Sequence, residues 1–134
     1  MPAKDFVDTN ILVYFTLAEE KAALAEALVR NGGTISVQVL NELAVVWKRK
    51  YGYSWQLIQE SLLSLRALLE VVPVTMDTHE LGLSLAERYQ LRIYDSLLLA
   101  AALQAGCTAF LSEDLHEGLV VERQLTIRNP FRQN

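Results

Sequence analysis

Cysteine and histidine are scarce in this sequence, and their scarcity excludes several kinds of site. With one cysteine, Cys107, a disulfide cannot form within the chain, which suits a reducing compartment. The two histidines, His79 and His116, belong to no HExxH motif, and no pair of cysteines accompanies them. A zinc site, which would take its ligands from these residue types, is therefore not expected.

Long apolar runs are also absent. The longest, Leu97–Leu103, is far too short to cross a bilayer, and Met1–Asp5 carries no apolar signal core. We therefore expect a cytoplasmic protein that does not enter a membrane. Internal repeats, low-complexity tracts and Pro/Gly-rich linkers are lacking too, so the sequence predicts a single domain over residues 1–134.

Positive charge is not in excess. The chain has 12 Lys and Arg against 16 Asp and Glu, which gives a formal net charge of -4 and a pI near 5.1. This balance argues against a protein that holds nucleic acid by bulk charge, although it leaves room for a local basic patch. A hydrophobic fraction of 51% with 21% charged residues is typical of a folded globular domain.

What the sequence does contain is an alternation of short strand-like and longer helix-like segments. The predicted strands are Phe6–Val7, Thr34–Val37, Val71–Val74, Ala109–Ser112 and Leu125–Ile127. The predicted helices are 21–30, 38–51, one capped by Ser54 and running to 69, one through Tyr89 with a capping box at Asp77 and Glu80, and 95–105. This order predicts an α/β fold, a three-layer sandwich with a mainly parallel central sheet.

Acidic residues fall where such a sheet would place a site. Asp8 follows the first strand, Glu42 lies early in the helix after the second, Asp95 opens the long apolar helix, and Asp114 follows the fourth strand. Ligands of parallel α/β sheets bind outside the carboxyl ends of the strands. We therefore expect these acids to converge at one edge, although they are far apart in sequence.

A cluster of carboxylates has a definite chemistry. Carboxylates held together in a poorly solvated place repel each other, so they need protons or cations. Hard divalent cations such as Mg²⁺ and Mn²⁺ prefer oxygen ligands and also bind phosphate oxygens. Such an ion lowers the pKa of a bound water and shields the charge of a phosphate. The pattern thus favours metal-dependent phosphodiester hydrolysis.

Each acid, taken alone, has a simpler explanation. Asp8 is also explained by a turn or a helix cap, and Asp114 by an ordinary loop. Asp95 is typical of the first turn of a helix, where carboxylates are favoured. Glu42 is also explained as a solvated helix residue, although it borders an apolar stripe. Their joint placement, rather than any single residue, indicates a site.

Four motifs resemble those of PIN domains, in order and spacing, over nearly the whole chain. They are Phe6-Val7-Asp8-Thr9-Asn10-Ile11-Leu12, Val39-Leu40-Asn41-Glu42-Leu43, Ile93-Tyr94-Asp95-Ser96-Leu97-Leu98 and Phe110-Leu111-Ser112-Glu113-Asp114-Leu115. The resemblance implies a PIN fold, hydrolysis of RNA with Mg²⁺ or Mn²⁺, and commonly a homodimer. The compact size resembles VapC-type toxins of toxin–antitoxin pairs, which are neutralised by a small antitoxin that occludes the active-site groove.

The resemblance also implies roles for individual residues. It carries over Asp8, Glu42, Asp95 and Asp114 as the acidic residues of the metal site. It implies that the Ser112 hydroxyl helps to arrange the site and that Asn10 orients the metal ligands without binding the metal itself.

One position departs from the pattern. Many relatives carry a further Asp two residues after the position of Asp114, where this chain has His116. The sequence therefore does not decide whether the site has a fifth acidic ligand, or whether Glu113, His116 or Glu117 takes its place. The choice of Asp114 over Glu113 depends on the register set by Ser112.

Several side chains are candidates for contacts with RNA. They are the basic residues Lys48, Arg49, Lys50, Arg88, Arg92, Arg123, Arg128 and Arg132, and the aromatic residues Tyr14, Trp55 and Tyr94. A solvated helix end and core packing explain most of these positions equally well, and the sequence alone does not choose among them.

Two other functions compete with the endoribonuclease. One is a catalytically inactive PIN-fold module for binding or assembly, which the substitution at His116 favours. The other is a phosphoacceptor receiver domain, which carries paired acids after its first strand and a lysine after its last. Asp8 has no such acidic neighbour, and the fourth strand is followed by Glu113 and Asp114 rather than a lysine.

Overall fold

The computed structural model describes residues 4–17 and 19–132; residues 1–3, 18, 133 and 134, which belong to the predicted domain, lie outside this description. The described strands form a six-stranded sheet in the order β3-β2-β1-β4-β6-β5. The strands are β1 (Lys4–Val7), β2 (Thr34–Ser36), β3 (Glu70–Val72), β4 (Cys107–Leu111), β5 (Val120–Val121) and β6 (Leu125–Arg128). All neighbours pair in parallel except β5 and β6, which are antiparallel.

Helices fill the connections between the parallel strands. They are α1 (Thr9–Leu12), α2 (Glu20–Arg30), α3 (Val37–Arg49), α4 (Trp55–Leu68), α5 (Met76–Tyr89) and α6 (Ile93–Gln104), with a 3-10 turn at Val13–Thr16. The α/β class and the mainly parallel sheet flanked by helices are as the sequence predicts. Among the described residues, no helix has the length and apolar character needed to cross a membrane.

The strand order reverses beside β1, and this reversal creates the place for a site. The chain runs from β1 to β2 to β3 in one direction, and then returns to pair β4 with the other edge of β1. Because parallel crossovers are right-handed, the reversal sends α5 and α6 to the opposite face from the earlier helices. The crevice at such a reversal, outside the carboxyl ends of the strands, is where α/β sheets bind ligands.

The core forms between the sheet and these helix layers. Phe6 of β1 and Phe110 of β4 are fully buried and stack with their ring centroids 5.3 Å apart. Helix α6 buries Leu98 to Ala102, so its apolar character serves the core. Gly82 lets α5 approach α6 closely, since a Cβ there would lie 2.6 Å from a methyl carbon of Leu97.

Several predicted boundaries differ from those observed. The capping box predicted at Asp77 and Glu80 is wrong: Thr75 is the N-cap of α5 and exchanges hydrogen bonds with Thr78. Helix α6 begins two residues before Asp95, which therefore lies within its first turn. The prediction that Ser54 caps α4 is confirmed by its hydrogen bond from the amide of Leu57.

The strands show differences of the same kind. Val37 begins α3 rather than ending β2, and β3 covers Glu70–Val72, so it ends before Pro73, which has no N–H to donate. The sequence also gave no indication of β5. That two-residue strand folds back on β6 after the loop that follows β4.

Candidate active site

Asp8 and the residues after β4 lie side by side where the strand order reverses. Val7 pairs with Leu111 in the sheet, and the Asp8 amide donates to the Leu111 carbonyl at 2.9 Å. The next residues, Asp8 and Ser112, therefore emerge together at the carboxyl edge. Sequence places them more than a hundred residues apart, and the parallel pairing of β1 with β4 brings them together.

Asp8 is buried and closely held. It is 5% exposed and caps α1 by accepting a hydrogen bond from the amide of Thr9 at 2.7 Å. The pKa of Asp8 is raised to about 7, mainly by burial. The charges of Glu42 and Asp95 also raise this pKa, and the hydrogen bonds from Ser112 and Thr9 lower it. Near neutral pH this carboxyl therefore exists in both protonation states.

Glu42 is tied to two other motifs by hydrogen bonds. The Thr9 hydroxyl donates to its Oε1 at 2.6 Å, and the Gln38 amide donates to its Oε2 at 2.8 Å. The same Gln38 nitrogen lies 2.9 Å from the carbonyl oxygen of Tyr94 at the start of α6. Glu42 is thus oriented by a chain of contacts that joins α1, α3 and α6.

Asp95 faces the same acids from the first turn of α6. It is half-buried, and the loss of solvent is the main reason why its pKa is raised. The neighbouring Arg92 lowers this pKa, whereas the charges of Glu42 and Asp114 raise it. These interactions couple Asp95 electrostatically to the acids of the other motifs.

Asn10 joins the first and fourth motifs. Its amide nitrogen lies 3.1 Å from Asp8 Oδ2, 3.1 Å from Ser112 Oγ and 3.2 Å from Asp114 Oδ2. Its carbonyl oxygen accepts from the Glu113 amide at 3.1 Å. Asn10 therefore fixes the start of the loop after β4 relative to Asp8.

Ser112 organises that loop from a fully buried position. Its hydroxyl oxygen accepts from the amides of Asp114 and Leu115, each at 3.2 Å. The same hydroxyl interacts with the carboxyl of Asp8 and lowers its pKa. Ser112 thereby sets the backbone that presents Asp114.

Glu113, His116 and Glu117 were considered as replacements for the further Asp that many relatives carry, and none of them stands free in the cavity as a ligand. Glu113 borders the cavity, but its carboxylate accepts from Tyr14 Oη at 2.9 Å and pairs with Lys21 at 3.2 Å. Glu117 pairs with Arg132 at 2.8 Å, and neither Glu117 nor His116 is a lining residue of the cavity.

One cavity of about 1040 Å³ receives all four predicted acids, and Asn10, Thr9 and Gln38 also line it. Its basic lining residues are Lys50 and Arg92, and Tyr14 and Tyr94 lie in its wall. Of the other RNA-contact candidates, Arg88 pairs with Glu122 at 2.6 Å, and Trp55 lies under Lys48, away from the cavity.

The lining suits a hard cation in its chemistry. The candidate ligands are carboxylate oxygens, and burial, with a smaller contribution from the charges of Glu42 and Asp95, raises the pKa of Asp8, an effect that a bound cation would oppose. Within the described residues, no three acidic, histidine or cysteine side chains already stand as a metal-binding group.

Two supporting residues, Thr9 and Gln38, were not identified from the sequence. Gln38 lies four residues before Glu42, the spacing at which helical side chains meet, so this contact was accessible to pattern analysis. The contact of Thr9 with Glu42 depends on how α1 packs against α3 and has no local signal.

The fold and the acidic cavity define an α/β protein with its site at the strand reversal. The family model for the PIN domain matches residues 6–116. The chain therefore belongs to the PIN domain family. A comparison with curated proteins gives no significant match.

Several solved structures to which this chain is similar in fold are of toxins or toxin–antitoxin complexes. A chain of a toxin–antitoxin complex from Klebsiella pneumoniae is 20% identical, with a TM-score of 0.73 over 97% of this chain and 100% of that one. VapC20 of Mycobacterium tuberculosis, a sarcin-ricin loop cleaving toxin, is 18% identical, with a TM-score of 0.64 over 83% and 92%. A chain of VapBC2 from Rickettsia felis, crystallised with a promoter DNA fragment, is 24% identical, with a TM-score of 0.64 over 93% and 97%.

Proposed function

We propose that this protein is an endoribonuclease that hydrolyses RNA phosphodiester bonds with Mg²⁺ or Mn²⁺. The observation that carries the proposal is the gathering of Asp8, Glu42, Asp95 and Asp114 around one cavity at the strand reversal. Burial is the main reason why the pKa values of Asp8 and Asp95 are raised, the charges of the neighbouring acids raise them too, and a bound cation would relieve both effects. Membership of the PIN family supports the same chemistry.

The four acids would hold the ion, and the neighbouring residues would hold the acids. When bound, Mg²⁺ or Mn²⁺ supplies positive charge that shields the phosphate and makes a water molecule more acidic. Thr9 and Gln38 orient the carboxylate of Glu42, and Asn10 orients those of Asp8 and Asp114. Water adds to phosphorus, the bond to one flanking ribose oxygen breaks, and the products are a phosphate end and a hydroxyl end.

We further propose that the chain is the toxin of a type II toxin–antitoxin pair. Its relatives in fold come from such pairs, so we expect a small antitoxin partner, a cytoplasmic location and a homodimer. Expression of the chain alone should then arrest growth. Co-expression of the protein encoded by the adjacent reading frame should restore it.

Substitution of single acids tests the nuclease. Asp8→Asn and Asp95→Asn should each abolish Mn²⁺-dependent cleavage of labelled RNA, since each removes a negative charge that the ion requires. Asp77→Asn, an exposed acid in the first turn of α5, is the matched control and should cleave normally. Circular dichroism should show all three variants folded. Full cleavage by both site variants, or by the wild type in excess EDTA, would contradict the proposal.

A catalytically inactive PIN-fold module remains the second candidate. It is favoured by His116 at the position of a further acid and by the lack, within the described part of the chain, of three acids already grouped as metal ligands. Titration calorimetry with Mn²⁺ separates the two candidates: the nuclease binds the ion, whereas the inactive module gives no heat of binding and cuts no RNA.

A further inference from the structure

The acidic cavity carries two cations that have no ion-pair partner of their own among the described residues. Lys50 and Arg92 are its positively charged lining residues, and both are exposed. By contrast, Lys21, Arg30, Arg88 and Arg132 each pair with a glutamate. Because neither cation forms a salt bridge, both are well placed to meet an anion that enters the cavity.

The two cations stand on different parts of the cavity wall. Arg92 is the N-cap residue of α6 and lies close enough to Asp95 to lower its pKa, whereas Lys50 follows the last residue of α3. The Lys50 ammonium lies 5.5 Å from the centre of the Tyr51 ring, which supports its position. A phosphate would therefore meet one cation at the start of α6 and another at the end of α3.

The groove continues past Lys50. A second cavity of about 480 Å³ shares Tyr14, Lys50 and Tyr51 with the first. A ligand confined to the acids would occupy only the main cavity, whereas this continuation accommodates a chain of several units. Glu19, Glu20, Lys21 and Lys50 line this extension, and its length suits a ligand of several units better than a mononucleotide.

An exposed aromatic ring lies beside Arg92. Tyr94 is 67% exposed although it lines the cavity, and its carbonyl oxygen is anchored by Gln38. Aromatic rings at the edge of such a groove stack on unpaired bases, which a duplex does not offer. The ring therefore favours a single strand over a double helix.

We infer that a single-stranded RNA segment crosses this cavity with its phosphates held by Arg92 and Lys50 and one base stacked on Tyr94. This inference rests on the proposed function for the identity of the polymer. In this inference the two cations position the strand within the cavity that the four acids line.

Binding of a fluorescein-labelled single-stranded oligoribonucleotide tests the inference. Anisotropy is measured with Mn²⁺ in an Asp8→Asn background, which should not cleave the probe. Lys50→Gln and Arg92→Gln should each lower the slope of log affinity against log salt by about 1, because each removes one phosphate contact. The matched control is Arg49→Gln, since Arg49 is exposed beside Lys50 but does not line the cavity.

The base contact is tested in the same way. Tyr94→Ala should weaken binding roughly 5- to 100-fold, while Tyr94→Phe should retain it, since stacking needs the ring and not the hydroxyl. Trp55→Ala, which removes another exposed aromatic residue outside the cavity, should have no effect. A duplex of the same sequence should bind more weakly and should not respond to Tyr94→Ala.

Several results would overturn the inference. Equal losses for Lys50→Gln and Arg49→Gln would show attraction by general charge, and unchanged affinity in Tyr94→Ala would remove the base contact. A change of oligomeric state in Tyr94→Ala, seen by sedimentation without loss of RNA affinity, would assign that ring to a protein interface. If the wild type cuts RNA while these variants bind normally, this inference fails and the nuclease stands; if RNA binds as described but is never cut, the nuclease fails.

Discussion

At the scale of single residues, the site depends on how a few carboxylates are hydrogen-bonded. Asp8 loses solvent and gains bonds from Thr9 and Ser112, but burial is the larger effect and its pKa rises to about 7. Glu42 instead has a donor on each oxygen. Two carboxylates of the same cavity thus differ in their burial and in their hydrogen bonds, which follow from their neighbours.

The raised pKa of Asp8 predicts how metal affinity depends on pH. Below pH 7 this carboxyl holds a proton that a cation must displace, so the affinity for Mn²⁺ should rise about tenfold per pH unit from pH 5 to 7 and level off above. Titration calorimetry in buffers of different ionisation enthalpy measures both the affinity and the proton released. Asp8→Asn should bind more weakly and release less than the wild type. An affinity that is constant from pH 5 to 8 would refute the assignment.

Gln38 provides a second prediction at this scale. Gln38→Met keeps the length of the side chain but removes the donor to Glu42 and to the Tyr94 carbonyl. Affinity for Mn²⁺ should fall about 10- to 100-fold, as is usual when a residue that orients a metal ligand is lost. Gln56→Met removes a similar donor to Glu60, four residues away on α4 and outside the cavity. Equal affinities in the two variants would show that Gln38 does not orient the site.

At the scale of elements, helix starts were less predictable than helix positions. Two overlapping patterns precede α5, Thr75 with Thr78 and Asp77 with Glu80, and both have the spacing of a capping box. The structure uses the first, because the Thr78 hydroxyl also donates to Gln104 of α6 at 2.7 Å. That tertiary contact decides between the patterns, and no local rule contains it.

Substitution of the two caps tests this reading of α5. Thr75→Ala removes the acceptor for the Thr78 amide and should lower the free energy of unfolding by about 1 kcal/mol. Asp77→Ala should cost less, since Asp77 acts only through its charge near the helix start. Thr75→Ser, which keeps the hydroxyl, should be close to the wild type. Urea unfolding followed by circular dichroism measures these differences, and a larger loss in Asp77→Ala would contradict the observed cap.

At the scale of the whole molecule, the site follows from topology more than from local sequence. The order of strands and helices predicted that the acids share one edge, because parallel strands end together. The particular partners were not predictable, since Thr9 meets Glu42 and Asn10 meets Ser112 across 33 and 102 residues of chain. Those contacts require the strand order and the packing of α1 on α3, which periodicity does not encode.

The convergence of four elements on one cavity predicts that a bound ion stabilises the entire fold. Glu42 and Asp95 lie on α3 and α6, Asp8 directly follows β1, and Asp114 lies three residues after β4, so an ion held by these acids links four separate elements of the fold. At a hundredfold excess over its Kd, Mn²⁺ should add about 2.7 kcal/mol, which raises the Tm of a domain of this size by roughly 10 °C. Differential scanning calorimetry at pH 7.5 measures the shift, with potassium at equal ionic strength as the control for screening. Asp95→Asn should lose most of the shift, whereas Asp77→Asn should keep it. A shift that Asp95→Asn retains in full would mean that the ion binds elsewhere on the surface.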